Sequence, residues 1–475
     1  MVFSSMLFVF FFLALNLLSQ IILKEAREKN IAMLVFSLVF YSWAGPKYLV
    51  LLVGMTFICW IGAMLVEKYR GKSKVFLIIT VALCLAILGV FKYTGFFLGT
   101  IQAIFGVPKL IPEILLPVGI SFYTFQLLSY VIDVYRGEVY PQRKFWLLLL
   151  YASLFHQCIA GPIVRYKDIH SDLMRRQATR AEISAGISRF TTGLVKKVIL
   201  ANGCAAIADT FLVMDKAQMK GTPSLGIILG VVTFTLHIYL DFSAYSDMAI
   251  GMGLMCGLHY KENFNYPYIS SSITEFWRRW HISLSTFFRD YVYIPLGGNR
   301  KGERRQIINL VIVWGLTGLW HGASWNFVLW GLYYCLLLCL EKFVLADRLA
   351  RLPRWSKHII TLILVMFGWS IFKFTNVGLV FISLIGTFGL FGNGFYTAAV
   401  GLHFRNNVFL LIVSILACTP LLRGIKEWIL ERYEKNAILF WIYSAWDLVH
   451  PVIFLILAAL AMVGDSYNPF IYFRF

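Results

Sequence analysis

Residues Gln306–Leu340 read QIINLVIVWGLTGLWHGASWNFVLWGLYYCLLLCL, and none of these thirty-five side chains carries a formal charge. A single α-helix of this length would extend about 52 Å, whereas the hydrocarbon core of a bilayer is only about 30 Å thick. The segment therefore predicts two helices with a break between them, for which Gly315, Gly318 and Gly322 are the candidates. Irregular backbone at membrane depth is tolerated only where it is covered by protein or lines a water-filled cavity, so we expect one of these at the break.

The composition of the whole chain is that of an integral membrane protein. Of its 475 residues, 59% are hydrophobic and 14% charged, and the mean hydropathy is +0.73, whereas soluble domains carry about 25% charged residues. The first uncharged run, Met1–Leu23, lacks the basic start and cleavage site of a signal peptide, so we expect it to be retained as a helix. The run lengths predict an all-α, polytopic integral membrane protein of about 11–13 transmembrane or re-entrant helices around a central cavity. No shift in composition marks a second domain, so residues 1–475 are predicted to form one membrane-embedded domain.

The distribution of charge predicts the orientation of the chain in the membrane. Lys and Arg number 43 against 24 Asp and Glu, a net charge of +19. In a membrane protein this excess marks cytoplasmic loops, so no nucleic-acid partner is expected. Basic clusters at Lys24–Lys29 and Lys68–Lys74 follow the first and third apolar runs, and Arg423–Lys435 precedes the last run. Both termini are therefore predicted to be extracytoplasmic.

The eight cysteines lie almost entirely within apolar runs. They show no C-x-x-C spacing and no histidines at zinc-ligand spacing. We interpret them as packing residues, and no metal site is predicted.

His321 is an ionisable residue near the middle of the longest uncharged run, between Trp320 and Trp325. An ionisable side chain at membrane depth is a functional-site hypothesis by default. With an ordinary pKa of about 6.5, histidine suits general-base catalysis near neutral pH. A packed histidine that bonds a neighbouring helix is the alternative, and position alone does not decide between them.

His281 lies in the aromatic and basic segment Phe276–Ser285. With Arg278 and Arg279 it could place a second imidazole and two guanidinium groups at the mouth of a cavity. The segment could equally be an interfacial helix anchored to lipid headgroups by Trp and Arg. Polar residues in other apolar runs, including Asp241, are interpreted as structural, because buried carboxylates often pair with cations.

The segment Tyr467–Phe475, YNPFIYFRF, is strongly aromatic and presents the hydroxyl of Tyr472 among phenylalanines. Aromatic anchoring at the membrane interface and docking into a groove are both compatible with this composition. The pattern alone assigns no chemistry to Tyr472.

Taken in order, these motifs resemble the membrane-bound O-acyltransferases, in particular the bacterial branch typified by the membrane subunit of alginate O-acetyltransferase. The resemblance is densest in residues 114–345 and returns in the tail 467–475. The matching segments are Ile120–Phe125, Ile132–Gly137, Ile159–Ile163, Asp241–Gly251, Ser272–Ser285, Leu296–Gly302, Trp320–Ala323 and the aromatic tail.

The resemblance implies a site and a reaction. His321 would be the central catalytic histidine and His281 the second characteristic histidine. The donor would be acetyl-CoA or another acyl thioester, with no permanently bound cofactor. In this branch Tyr472 would accept the acyl group and pass it to an extracytoplasmic partner, a serine hydrolase-like acetyltransferase subunit of the SGNH type.

The final acceptor implied is an exported or cell-wall polysaccharide, alginate-like or peptidoglycan. The expected location is the inner membrane of a bacterium, among membrane lipids. Two alternatives stay open at this point. The same fold could move D-alanyl or another acyl unit, or the chain could be a transporter or flippase that uses the central cavity, although no internal repeat supports transport.

Overall fold

The computed structural model describes residues 2–43, 45–106, 114–159, 161–433, 436–464 and 470. Every regular element among these residues is helical. The predicted all-α class is therefore confirmed.

Twenty-one α-helices follow one another along the described residues. The first ten are α1 (Ala14–Ile22), α2 (Ala26–Ser42), α3 (Pro46–Lys68), α4 (Ser73–Phe105), α5 (Ile120–Arg136), α6 (Phe145–Ser153), α7 (Tyr166–Arg175), α8 (Arg180–Val195), α9 (Asn202–Phe211) and α10 (Lys216–Gly221). The others are α11 (Ser224–Met255), α12 (Ile273–Arg279), α13 (Ile282–Phe288), α14 (Glu303–His321), α15 (Trp325–Cys339), α16 (Ala346–Arg351), α17 (Arg354–Lys373), α18 (Val377–Thr387), α19 (Ala398–Ala417), α20 (Leu421–Tyr433) and α21 (Ala437–Gly464).

Eight helical segments of the described chain are long and apolar enough to cross a membrane. They comprise α3, α4, the continuous α8–α9 segment, α11, α15 with its π-helical extension, α17, α19 and α21. Two apolar segments, Phe8–Ile22 and α18, are shorter. The chain is a polytopic membrane protein, as predicted.

Apolar runs outnumber these eight segments because some runs fold as short helices enclosed by protein. Almost every residue of α5 is buried, and Leu147–Ser153 of α6 are buried too. Helix α5 packs against α3 and α4, and α6 packs against α2 and α3, so protein surrounds both short helices.

The most buried of the long helices is α11, which packs along α8 and α9. Glycines allow this close approach, since a side chain at Gly251 would lie 2.7 Å from the carbonyl oxygen of Gly186. The carboxylates of α11 are paired as expected from the sequence: Asp241 lies 2.6 Å from Lys197, and Asp247 lies 3.1 Å from an Arg189 nitrogen.

The uncharged run Gln306–Leu340 forms two helices, as predicted, but the break lies only at its third glycine. Helix α14 continues through Gly315 and Gly318 to His321, and α15 begins at Trp325. Gly318 serves packing instead, because a side chain there would lie 2.3 Å from the carbonyl oxygen of Phe327 on α15. Although the run itself is uncharged, α14 begins in the charged residues before it and is not among the eight long apolar segments.

A side chain at Gly331 would disturb this helical hairpin. Its Cβ would lie 2.2 Å from the carbonyl oxygen of Trp314. Because that oxygen belongs to the backbone, the clash can be relieved only if one of the two helices moves. We expect Gly331→Ala to lower the stability of the folded protein by about 1–3 kcal/mol, as overpacking typically does. Thermal unfolding in detergent measures the loss.

Gly315→Ala is the matched control, because no atom lies within 4 Å of the Cβ that it adds on the same hairpin. Alanine also favours a helix over glycine by about 1 kcal/mol. Equal destabilisation by the two variants would contradict the packing role of Gly331.

Candidate active site

His321 occupies the last position of α14, where the helix stops against a wall of aromatic rings. Gly322 continues in extended backbone, and a side chain there would collide with the ring of Phe327 at 2.2 Å. The chain therefore turns away at this point and restarts as α15. The His321 side chain is buried, with 4% of its surface exposed.

Three aromatic rings surround the imidazole of His321. The ring centroids of Trp320, Trp330 and Phe372 lie 5.0, 4.9 and 5.4 Å from its own, each with planes close to perpendicular. These contacts come from α14, α15 and α17, so three helices fix the position of the imidazole. Such an apolar wall excludes water, which strengthens every electrostatic interaction within it.

His281 lies in the sharp turn between α12 and α13 and is also buried, at 2% exposure. Its backbone is left-handed, with φ of 43°, a conformation that few residues other than glycine adopt. Asn263 holds this turn: its carbonyl oxygen accepts from the Ile282 N–H at 2.9 Å, and its side-chain oxygen accepts from the Ser283 hydroxyl at 2.8 Å. Strain of this kind persists only where surrounding contacts impose it, and it concentrates at functional sites.

The structure brings the two histidines together around one indole. The centroid of the Trp320 ring lies 5.8 Å from that of His281 and 5.0 Å from that of His321. In the described part of the chain, Nδ1 of His281 has no hydrogen-bond partner. Two buried imidazoles this close can share the work of binding a hydroxyl and moving its proton.

The guanidinium groups predicted beside His281 lie elsewhere. Arg279 is bound to Glu275 at 3.0 Å and to the carbonyl oxygen of Asn265 at 3.1 Å, and Arg278 is exposed. Helix α12 ends at Arg279, and neither arginine is among the residues that line the cavity beside His281. The expectation that these arginines share a cavity mouth with the second imidazole is not met.

A narrow cavity adjoins His281 and connects the site with the C-terminal segment. Its lining includes Ser246, Asn263, His281 and Phe470. Phe470 is 2% exposed, and its ring meets that of Tyr245 edge-on at 4.6 Å. Tyr472 lies outside the described residues.

Sequence patterns gave no indication of Asn263, because its contacts cross from the loop after α11 to the turn between α12 and α13. The indole of Trp320 was recognised as a neighbour of His321 but not as its bridge to His281. Within the described ranges no three His, Cys, Asp or Glu side chains converge as metal ligands. The arrangement offers proton transfer by imidazole as its chemistry.

The loop that leads from α11 to this site is anchored by His259. Its Nδ1 lies 3.0 Å from an oxygen of Asp172 and its Nε2 lies 2.9 Å from Glu182. The hydrogen bond with Glu182 is the largest cause that raises the pKa of His259 above its ordinary value, and Asp172 raises this pKa further.

The raised pKa of His259 predicts a pH-dependent contribution to stability. The imidazolium form is favoured more in the folded than in the unfolded state, so its contribution is complete below about pH 6.5 and is lost as the pH rises through the folded-state pKa. We expect His259→Gln to lower the thermal midpoint clearly at about pH 5.5 and far less at about pH 9. An equal loss at both pH values would contradict the ionic anchor.

The fold and the site together define a class: a polytopic membrane protein in which two histidines from separate helix breaks are buried beside one indole. Comparisons with known proteins give the family. The sequence profile of the membrane-bound O-acyltransferase family, MBOAT, matches residues 147–384, which include both histidines. The chain belongs to this family and is an acyltransferase.

Three relatives show the range of activities near this chain. It is 42% identical over 387 residues to the probable alginate O-acetylase AlgI of Azotobacter vinelandii, covering 79% of this chain and 76% of that protein. It is 33% identical over 432 residues to the peptidoglycan O-acetyltransferase of Helicobacter pylori, with 82% and 80% covered. It is 30% identical over 273 residues to the teichoic acid D-alanyltransferase of Bacillus subtilis, with 54% and 68% covered.

Proposed function

We propose that this protein transfers an acetyl group from a cytoplasmic thioester, with acetyl-CoA as the donor, for the O-acetylation of an exported or cell-wall polysaccharide. The observation that carries the proposal is that His281 and His321, each buried at a helix break, both contact the Trp320 ring. Buried imidazoles at this depth suit proton transfer to and from a hydroxyl far better than they suit ordinary packing.

The relatives favour acetyl over D-alanyl as the group transferred. The two O-acetylating relatives align with most of this chain, at 42% and 33% identity. The D-alanyl-transferring relative aligns with only 54% of it, at 30% identity. Their acceptors are named as alginate, peptidoglycan and teichoic acid, which supports a cell-surface polymer as the acceptor class.

In the proposed reaction His321 acts as general base. Its imidazole takes the proton of an acceptor hydroxyl while that oxygen attacks the thioester carbonyl carbon. The new C–O bond forms, the C–S bond breaks, and the departing thiolate takes the proton from the imidazolium. No free alkoxide has to exist in the low-dielectric site, and atoms and charge balance at each step.

His281 binds the reacting oxygens in this proposal. Its Nδ1 lacks a hydrogen-bond partner among the described residues, and the Asn263 contacts hold its backbone in one conformation. A protonated nitrogen there can donate to the thioester carbonyl oxygen as negative charge develops on it, which is the role of an oxyanion donor.

We further propose that Tyr472 is the first acceptor and relays the acyl group to an extracytoplasmic serine hydrolase-like subunit of the SGNH type. Phe470 lines the same cavity as His281, and two residues of chain span at most about 7 Å. An acyl phenol is a more activated ester than an acyl sugar, so transfer onward to a sugar hydroxyl is favourable.

We place the protein in the inner membrane of a bacterium, with both termini on the extracytoplasmic side and the whole chain acting as one domain. The basic clusters at Lys24–Lys29 and Lys68–Lys74 support this orientation. The donor then reaches the site from the cytoplasm, and only the acyl group crosses to the other side.

His321→Ala removes the proposed base. We expect polysaccharide acetylation to fall by roughly 10²- to 10⁴-fold, the range typical of a lost general base, while the amount of folded protein in the membrane stays the same. His170→Ala is the matched control, because His170 is an exposed histidine on α7. Undiminished acetylation by the His321 variant would refute the assignment.

Tyr472→Phe removes the proposed relay hydroxyl without removing the ring. In cells that lack the extracytoplasmic partner, we expect an acetyl mass on the C-terminal peptide of the native chain and none on that of Tyr472→Phe or His321→Ala. Peptide mass spectrometry measures both. An unmodified native tail in these cells, together with intact polysaccharide acetylation by Tyr472→Phe in cells that keep the partner, would show direct transfer or a separate acceptor subunit instead.

A further inference from the structure

Lys92 is a charged residue in the interior of the long apolar helix α4. Its side chain is buried, with 8% exposed, although α4 is otherwise among the most apolar segments of the protein. In the described part of the chain no carboxylate lies within ion-pair distance of its ammonium group. The ammonium instead donates to the hydroxyl of Ser121 at 2.9 Å and to the backbone carbonyl oxygen of Trp320.

The second of these contacts falls on the end of the helix that carries His321. The last carbonyl groups of an α-helix have no partner within the helix, and a cation stabilises them because the helix dipole makes this end negative. The neighbouring Tyr93 hydroxyl donates to the carbonyl oxygen of Leu319 at 2.9 Å. Two consecutive residues of α4 thus donate hydrogen bonds to the two backbone carbonyl groups that immediately precede His321.

Lys92 also fixes the indole that lies between the two histidines. Ser121 accepts from Lys92 through its hydroxyl and from the Trp320 indole N–H through its carbonyl, the latter at 3.4 Å. The ammonium lies 6.0 Å from the centre of the Trp320 ring, within reach of a cation–π interaction. Backbone and ring of Trp320 are therefore held by the same pair of residues.

We propose that Lys92 is a positioning residue for acyl transfer: it clamps the C-terminal turn of α14 and the Trp320 indole so that the imidazoles of His321 and His281 stay aligned. The proposal rests on the proposed function of His321. A buried ammonium without a carboxylate is expensive at membrane depth, and an apolar side chain of the same length would suit packing better. The presence of a lysine at position 92 is explained by the hydrogen bond through which its ammonium group holds the end of α14.

Lys92→Met tests the clamp, because methionine keeps the length and removes the charge. The assay uses membrane vesicles that contain the full chain with its extracytoplasmic partner and labelled acetyl-CoA as the donor probe. We expect kcat to fall roughly ten- to a hundredfold, as misplacement of a catalytic group does, with KM for acetyl-CoA unchanged. The thermal midpoint should stay the same or rise.

Two further variants separate positioning from general damage. Lys92→Arg restores a cation that can donate to both oxygens, and we expect it to recover most of kcat. Lys74→Met, at an exposed position near the start of the same helix, should leave kcat and stability unchanged. Loss of stability in Lys92→Met in proportion to its loss of activity would reduce Lys92 to a structural role and overturn the proposal.

A rise in KM with native kcat would also overturn it, because Lys92 would then serve donor binding. The two hypotheses fail separately. If His321→Ala keeps its activity, the proposed role of His321 as the base fails whatever Lys92 does. If His321→Ala is inactive and Lys92→Met has native kcat, only the positioning role fails.

Discussion

The site depends on one constraint: backbone that leaves the helix at membrane depth must be enclosed by protein. The break between α14 and α15 satisfies this constraint because the two helices pack very closely. Gly318 and Gly331 allow the close approach, since each faces the backbone of the opposite helix. The rings of Trp330 and Phe372 then cover the end of α14. The enclosure that makes the break possible also produces the dry, rigid surroundings of His321, so fold and site have the same physical origin.

Charge at membrane depth follows two different rules in this protein. Lys197 and Asp241 form a buried pair 2.6 Å apart, which is the usual way to keep a charge out of water. Lys92 instead donates to the hydroxyl of Ser121 and to the backbone carbonyl oxygen of Trp320 near the end of α14. The first arrangement neutralises the ion, and its Asp241 lines the same cavity as His281. The second uses the ion to hold the end of the helix that carries His321.

The sequence was sufficient for the features that depend on composition and local pattern. The membrane class and the break in the uncharged run could be predicted, because the length of an uncharged run is read directly from the sequence. The catalytic roles of His321 and His281 stay predictions. The role of Gly318 was predicted wrongly, since a glycine that breaks a helix and one that allows close packing look the same in one dimension. Asn263 and Lys92 were missed because their contacts join segments far apart in the chain. The acylation of Tyr472 stays a prediction.

The shared indole explains why two histidines from different segments can form one site. The His281 turn is strained, and Asn263 determines its backbone; the His321 turn ends a helix, and Lys92 and Tyr93 hold its carbonyls. Each turn is therefore held by contacts of its own, and the Trp320 ring contacts both imidazoles. Proton transfer needs donor and acceptor atoms placed to within a fraction of an ångström of hydrogen-bond distance, about 2.6–3.2 Å. Bracing each turn separately, with one rigid ring in contact with both imidazoles, favours such placement because neither imidazole depends on the other for its position.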